Sequence, residues 1–334
     1  MAGNSTSSVI AGLSANSLVS VAKFIGFGVS GSAAMFSEAI HSVADTTNQA
    51  LLLLGLKRSE RLADTTHPEG YGRERFFWGL VSALGIFFLG AGVTIWHGIH
   101  ALQHPEPSTH GWVTWAVLGF AFTLEGGALA VAMRGLFKDA KAAGIGPTQY
   151  FKEGRDPTLI AVLAEDAAAV LGLLMACAGI GLETVTGEPI WDAIATLSIG
   201  VLLAVVAVFL IRINRVFLLS RAIDAKTDAQ IRAVLEKRPT VTNVNALTGV
   251  ILTMGKYRVA ADLDFDGAEL AKQVLADKDI AAIRGVESDE SARAWLGEFA
   301  EEVVQALGAE VDAIEAEIRD AVPGVAQVDL ETDA

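Results

Sequence analysis

The sequence predicts an all-α transmembrane bundle of six helices, residues 1–221, joined to a cytoplasmic α+β domain of ferredoxin-like kind, residues 222–334. Three observations predict it. Apolar residues make up 52% of the 334 positions and mean hydropathy is +0.44, an unusual balance for a soluble chain of this length. Six segments approach the ~20 apolar residues that a helix needs to cross a hydrocarbon core. Charge is also segregated: residues 222–334 hold 23 Asp and Glu against 11 Lys and Arg, so most of the net charge of −14 belongs to the tail. Such a tail repels nucleic acid and attracts cations.

Taken in order, the spans run from Val9 to Ser30, Ala33 to Gly55, Phe76 to His97, Trp112 to Met133, Leu159 to Leu182 and Ile190 to Ile211. The first two are rich in Gly and Ser, as expected where helices approach closely in lipid. Beyond Ala222, Asp224 to Arg238 reads as a helix with Ile231, Val234 and Leu235 as its apolar stripe. Val241 to Val250 and Ile251 to Asp264 read as strands, the second alternating through Tyr257, Val259, Ala261 and Leu263. Helices follow at Gly267–Ala276 and Ser291–Val322, the latter expected to break or bend near Gly308. The stretch Asp277–Glu290 reads as a polar insertion, Pro323-Gly324 as a stop, and Val325 to Leu330 as a last strand.

Orientation follows from the basic residues. Lys57, Arg58, Arg61, Arg73 and Arg75 fall between spans two and three. Arg134, Lys138, Lys141, Lys152 and Arg155 fall between four and five, and Arg212, Arg215 and Arg221 at and after the end of six. The other three connections contain no Lys or Arg, so the basic loops and both termini are expected on the cytoplasmic side. Met1 to Ser8 carry no basic residue and the first apolar segment is long, so it is expected to remain as a span rather than be cleaved as a signal. Ala-rich, Lys-poor usage without a targeting extension points to a bacterial inner membrane. The single cysteine, Cys177, allows no intrachain disulfide and no thiolate metal cluster.

The informative residues are the ionisable ones inside spans, each costing ~2.5–3.5 kcal/mol at mid-helix on insertion scales: Lys23, Glu38, His41, Asp45, Glu125, Glu165 and Asp166. His41 and Asp45 lie one turn apart on one helix face, which Asn48 continues. An imidazole and a carboxylate so placed can hold one divalent ion, or can form a buried ion pair that tightens the bundle. Adjacent helical residues point ~100° apart, so only one of Glu165 and Asp166 can face His41 squarely. Several buried carboxylates repel unless a metal or exchangeable protons neutralise them. Lys23 and Glu125 are expected to pair with each other or with Glu38, and Glu125 is a candidate for proton coupling. His97, His100, His104 and His110 gather at the non-cytoplasmic end and read as interfacial histidines.

SEAIHSVAD (Ser37–Asp45), followed by HPEGYGRERF (His67–Phe76), resembles the cation diffusion facilitators, the solute carrier family of zinc transporters. GRDPTLIAVLAEDAAAVLG (Gly154–Gly172), ADLDFDG (Ala261–Gly267), LGAEVDAIEAEI (Leu307–Ile318) and VDLE (Val328–Glu331) are similar to the zinc transporter nine branch. The resemblance implies a transport site built from pairs on spans two and five, with His41 and Asp45 as the first pair. The second departs from the family pattern: four residues before Asp166 stands Val162, which cannot ligate. Zinc would then have His41, Asp45 and Asp166, with Glu165, Asn48 or water as a fourth ligand. Losing an imidazole makes the site harder and better suited to Mn²⁺ or Fe²⁺. A loop site at Asp64 and His67 would lack its later histidine, which is Tyr71, and a structural loop is the reading preferred. All six histidines precede residue 111, so the tail has no His/Cys zinc site, and Asp262, Asp264 and Asp266 read as a solvated strand face.

These readings converge on a Zn²⁺/H⁺ antiporter exporting zinc from the cytoplasm, with His41 as exchange group. Zinc is the transported substrate; Mn²⁺, Fe²⁺ or Co²⁺ are alternatives, as is a membrane scaffold that does not transport. No nucleophile, phosphate loop or organic-cofactor motif argues for an enzyme. Expected partners are metal ion, protons, the lipid bilayer and, as the resemblance implies, a second copy joined through the acidic tail.

Overall fold

The computed structural model describes residues 2–153, 157–276, 278 and 288–332. It divides into two compact units, Met1–Leu219 and Ser220–Ala334.

The first unit is built of helices joined by loops, and a helix satisfies its own backbone N–H and C=O groups where lipid offers no water. It comprises α1 (Ala2–Ser30), α2 (Ala33–Ser59), α3 (Glu74–Gly85), α4 (Val93–Gln103), α5 (Trp112–Ala142), α6 (Pro147–Glu153), α7 (Pro157–Thr186) and α8 (Ile190–Leu218). A π-helical stretch, Ile86–Gly92, joins α3 to α4 without a break. Among the described residues four helices are long and apolar enough to cross a membrane: Glu74–Gln103, Trp112–Ala142, Thr158–Thr186 and Ile190–Leu218. Their outward faces are apolar. Phe88, Leu89 and Val131 are each 66% exposed, which suits lipid and would be an aggregation hazard in water. Of the six predicted spans, α1 and α2 fall outside this set; α2 carries Glu38, Asp45, Lys57 and Arg58. The core between the helices gathers Val19, Met35, Leu118, Leu173, Ile199 and Leu203.

The α1–α2 connection needs only Gly31 and Ser32. Gly31 takes a positive φ of 69°, a conformation open to glycine at little cost. Ser32 then caps α2, its hydroxyl accepting from the Met35 N–H at 3.1 Å. The short α6 lies in the basic connection between the fourth and fifth predicted spans and was not expected; Arg155 of that connection lies outside the described residues.

The second unit holds α9 (Ala225–Glu236), β1 (Val241–Thr253), β2 (Lys256–Phe265), α10 (Gly267–Ala276), α11 (Asp289–Ala321) and β3 (Val325–Thr332). The sheet order is β1-β2-β3, antiparallel for the first pair and parallel for the second. Ile231 and Leu235 of α9, Ile314 and Ile318 of α11, and Val259, Ala261 and Leu263 of β2 form its core. Two expectations need correction. The β1–β2 turn is at Met254-Gly255, not Val250/Ile251, and Gly255 adopts a φ of 72°, the glycine chemistry of a two-residue hairpin loop. Helix α11 runs through Gly308 unbroken: an interior glycine costs ~1 kcal/mol, which the turns on either side offset. The insertion expected at Asp277–Glu290 lies largely outside the described residues.

Candidate metal-transport site

Helix α2 sets out its polar residues in register. Glu38, His41, Asp45 and Asn48 follow one another at spacings of three and four, so they share one face over ~15 Å of helix. Glu38, His41 and Asn48 are at most 2% exposed. His41 Nε2 stands 3.4 Å from Asp45 Oδ2. This contact is one of charge and proximity rather than an aligned hydrogen bond, since both ring nitrogens and Asp45 Oδ1 are buried without hydrogen-bond partners among the described residues.

Helix α7 faces it with Glu165 and Asp166, and the two diverge. Asp166 lines a cavity of about 20 Å³ together with Asp45, Ser42, Glu125 of α5 and Asn16 of α1. That volume suffices for one water-sized occupant. Glu165 turns to the other side, 8% exposed. It accepts a hydrogen bond from the Asn48 amide, whose own oxygen accepts from the Ser82 hydroxyl of α3. Glu165 and Asn48 line a separate cavity with Arg75, Thr158 and Asn214. Of the five residues singled out from sequence, Asp45 and Asp166 thus share one cavity and His41 touches Asp45. Asn48 and Glu165 pair elsewhere and fasten α2 to α7. Val162 lines a cavity of about 290 Å³ with Leu52, Leu53, Leu56, Gln49, Thr158 and Arg75. Among the described residues no three His, Cys, Asp or Glu side chains stand close enough together to grip a metal ion.

Lys23 is the surprise in degree, if not in kind. Fully buried, it donates to Glu38 Oε2 at 2.8 Å and to Glu125 Oε1 at 2.7 Å, realising both expected pairings at once. A buried ammonium needs such double anchoring to be tolerated.

A profile described as the cation efflux transmembrane domain matches residues 9–219. The chain belongs to the cation efflux family. The proton-coupled zinc antiporter SLC30A9, mitochondrial, of Xenopus laevis is 39% identical over 327 residues, 97% of this chain and 58% of its own. Its Homo sapiens counterpart is 37% identical over the same span. Metal tolerance protein C4 of Arabidopsis thaliana is 38% identical over 344 residues, 98% of this chain and 73% of its own. This cation efflux protein therefore spans little more than half the length of the SLC30A9 proteins.

Other ionisable groups of this cation efflux protein make local contacts. In the α2–α3 loop, Asp64 Oδ1 accepts from the Thr66 hydroxyl at 2.6 Å and from the Thr66 and His67 N–H groups at 2.9 Å; Oδ2 accepts from Tyr71 at 2.8 Å. These donors hold its carboxyl below the usual carboxylate range, the two hydroxyls foremost. At the opposite end His110 lies 2.8 Å from Glu183, which also accepts from Ser108, while His97 packs on Phe36 with ring centres 4.4 Å apart. In the sheet unit Asp266 caps α10 through the Ala268 and Glu269 N–H groups. Sequence reasoning missed Asp192 of α8. It takes the Ser32 hydroxyl at 2.7 Å and the Ala33 N–H at 2.6 Å, placing a carboxylate at the positive end of α2.

Proposed function

We propose that the protein is a secondary active carrier of divalent metal, not an enzyme, and that it exchanges Zn²⁺ for protons so as to export zinc from the cytoplasm. The observation that carries this reading is the cavity between α2 and α7, where Asp45 and Asp166 meet beside an imidazole in the middle of an apolar bundle. Two carboxylates in such a place need a cation or protons, and a carrier supplies them in turn. The names of the SLC30A9 relatives support zinc and proton coupling. His41, Asp45 and Asp166 are the residues assigned to the cargo. Asn48 and Glu165 are assigned to holding the two helices in register.

In this reading α1 and α2 also cross the bilayer, making six spans, with the polar face of α2 turned inward. Basic loops and termini face the cytoplasm, the acidic unit is a ferredoxin-like domain, and two copies associate through it. The relatives' names, mitochondrial and plant, lend no support to a bacterial inner membrane. A second reading is favoured by one observation: every ionisable or amide group lining the cavity is an oxygen donor, from Asn16, Asp45, Glu125 and Asp166. That set suits Mn²⁺ or Fe²⁺ as well as zinc, and Co²⁺ belongs to the same alternative.

The test is Zn²⁺ uptake into proteoliposomes with an acidic interior, comparing the native protein with Asp45→Asn. The reading predicts uptake that collapses when the gradient is dissipated and falls to background in the variant. Equal signals from both proteins would refute it, and competition by Mn²⁺, Fe²⁺ and Co²⁺ in the same vesicles ranks the ions.

A further inference from the structure

Helix α4 ends in a ladder of rings. Trp96, His100 and His104 follow one another at intervals of four, so they stand one above another on a single helix face. All three are exposed. The Trp96 and His100 ring centres are 5.9 Å apart, and those of His100 and His104 5.1 Å. His104 is the residue at which the helix stops, and its N–H still donates to the His100 carbonyl at 2.9 Å. The last turn therefore fixes the spacing of the two imidazoles. Histidines one turn apart are the arrangement by which a single helix grips a dication. Zn–N bonds of about 2.0–2.1 Å at a tetrahedral angle put the centres of two bound imidazoles about 5 Å apart, which is the separation already present here. The surroundings also favour a cation. The carbonyl end of a helix is its negative end, Glu106 follows two residues later, and no Lys or Arg occurs between Arg75 and Arg134. The neighbouring histidines are engaged elsewhere, His97 on Phe36 and His110 beside Glu183.

We propose that His100 and His104 form a two-imidazole surface site for a borderline transition-metal dication of the Cu²⁺ and Zn²⁺ kind, with water completing the coordination. Such a chelate needs no third side chain, and exposure leaves the remaining positions open to solvent. The site stands apart from the α2–α7 cavity and does not rest on the carrier reading. The pattern of basic loops predicts that this end of α4 lies on the non-cytoplasmic side, so the pair meets metal on the face opposite those loops.

The experiment titrates Cu²⁺ into the full chain in detergent and follows tryptophan fluorescence. Cu²⁺ heads the divalent affinity order, and bound at His100 it quenches the neighbouring Trp96 indole. The native protein should show a saturable quenching step that excess Zn²⁺ relieves and that Trp96→Phe removes. His100→Ala and His104→Ala should each weaken Cu²⁺ binding at this step about tenfold or more, since even groups that merely orient a metal ligand are worth about that much. His104→Leu/Leu102→His keeps both imidazoles but sets them two residues apart on different faces, and should bind as weakly as His104→Ala. All these positions are exposed, so thermal midpoints should stay native. Asp45→Asn, which removes transport in the carrier reading, should leave the step intact. Native affinity in either alanine variant or in the displaced-histidine variant overturns the proposal, as does quenching that Zn²⁺ does not relieve. A native protein that shows the step yet carries no zinc into vesicles would sink the carrier reading and leave this site standing.

Discussion

Carboxylates in this molecule divide by how many donors surround them, and the division predicts what each does when changed. Asp192 and Asp64 are saturated, each accepting from a hydroxyl and from backbone N–H groups; Asp45 keeps one oxygen without a hydrogen-bond partner among the described residues. Replacing Asp192 with Ala leaves the Ser32 hydroxyl and the Ala33 N–H at the start of α2 without their acceptor, for an expected loss of ~1–3 kcal/mol. A lowered thermal midpoint in detergent would show it, and an unchanged midpoint would refute that role. Asp64 makes a prediction about pH. Its native pKa lies below the ordinary value near 3.9, so its contribution to loop order is fully present above about pH 4 and is lost as pH falls through the lower native value. Amide protection at Thr66 and His67 should therefore persist at pH ~4 in the native protein and fade earlier on acidification in Tyr71→Phe. Equal titration of the two proteins would contradict this. His41 and Asp45 were legible because a charge within an apolar run announces itself, and the one-turn spacing gives its face. Asp192 gave no such signal: it sits at a span end where an acid is cheap, and its partner is Ser32, 160 positions earlier.

At the scale of the elements, existence was easier to read than contact. Runs of apolar residues foretell helices in all six predicted segments, and four of those are long and apolar enough to cross a membrane. What periodicity could not supply is which neighbour each face meets. Asn48 continues the polar face of α2 as its spacing predicts, and the crossing of α2 with α7 and α3 sets it against Glu165 and Ser82. Glycines show the same limit. Gly200 of α8 lies where an added Cβ would come 3.1 Å from the Ile95 backbone nitrogen of α4, so the two helices touch at a small residue. Gly200→Val should destabilise the bundle by ~1–3 kcal/mol through overpacking, read as a drop in thermal midpoint. A variant as stable as the native protein would mean that the α4–α8 contact is looser than described. The β1–β2 turn was misplaced because an alternating pattern runs through both strands, and only Gly255 marks the reversal.

For the whole molecule, the asymmetry of basic loops is the strongest single inference from composition, and it predicts a vectorial result. In a Cys177→Ala background, cysteines introduced at Glu60 and Lys138 should react with an impermeant maleimide from one side of sealed vesicles. Cysteines at Glu106 and Glu188 should react only from the other. Labelling of Glu60 and Glu106 positions from the same side would remove the α3–α4 rod as a span. The charge step near residue 222 is the sequence's signal for two units, since a −12 tail and an apolar bundle cannot share one core; by internal contacts the chain divides at Leu219/Ser220. The central claim, that a dication is held between α2 and α7, is tested most directly by anomalous scattering at the zinc edge from crystals grown with Zn²⁺. The account predicts a peak in the Asp45–Asp166 cavity, ~2.0–2.2 Å from carboxylate oxygens of both residues. A peak only at His110–Glu183 or at the Asp64 loop, with the cavity empty, would contradict it.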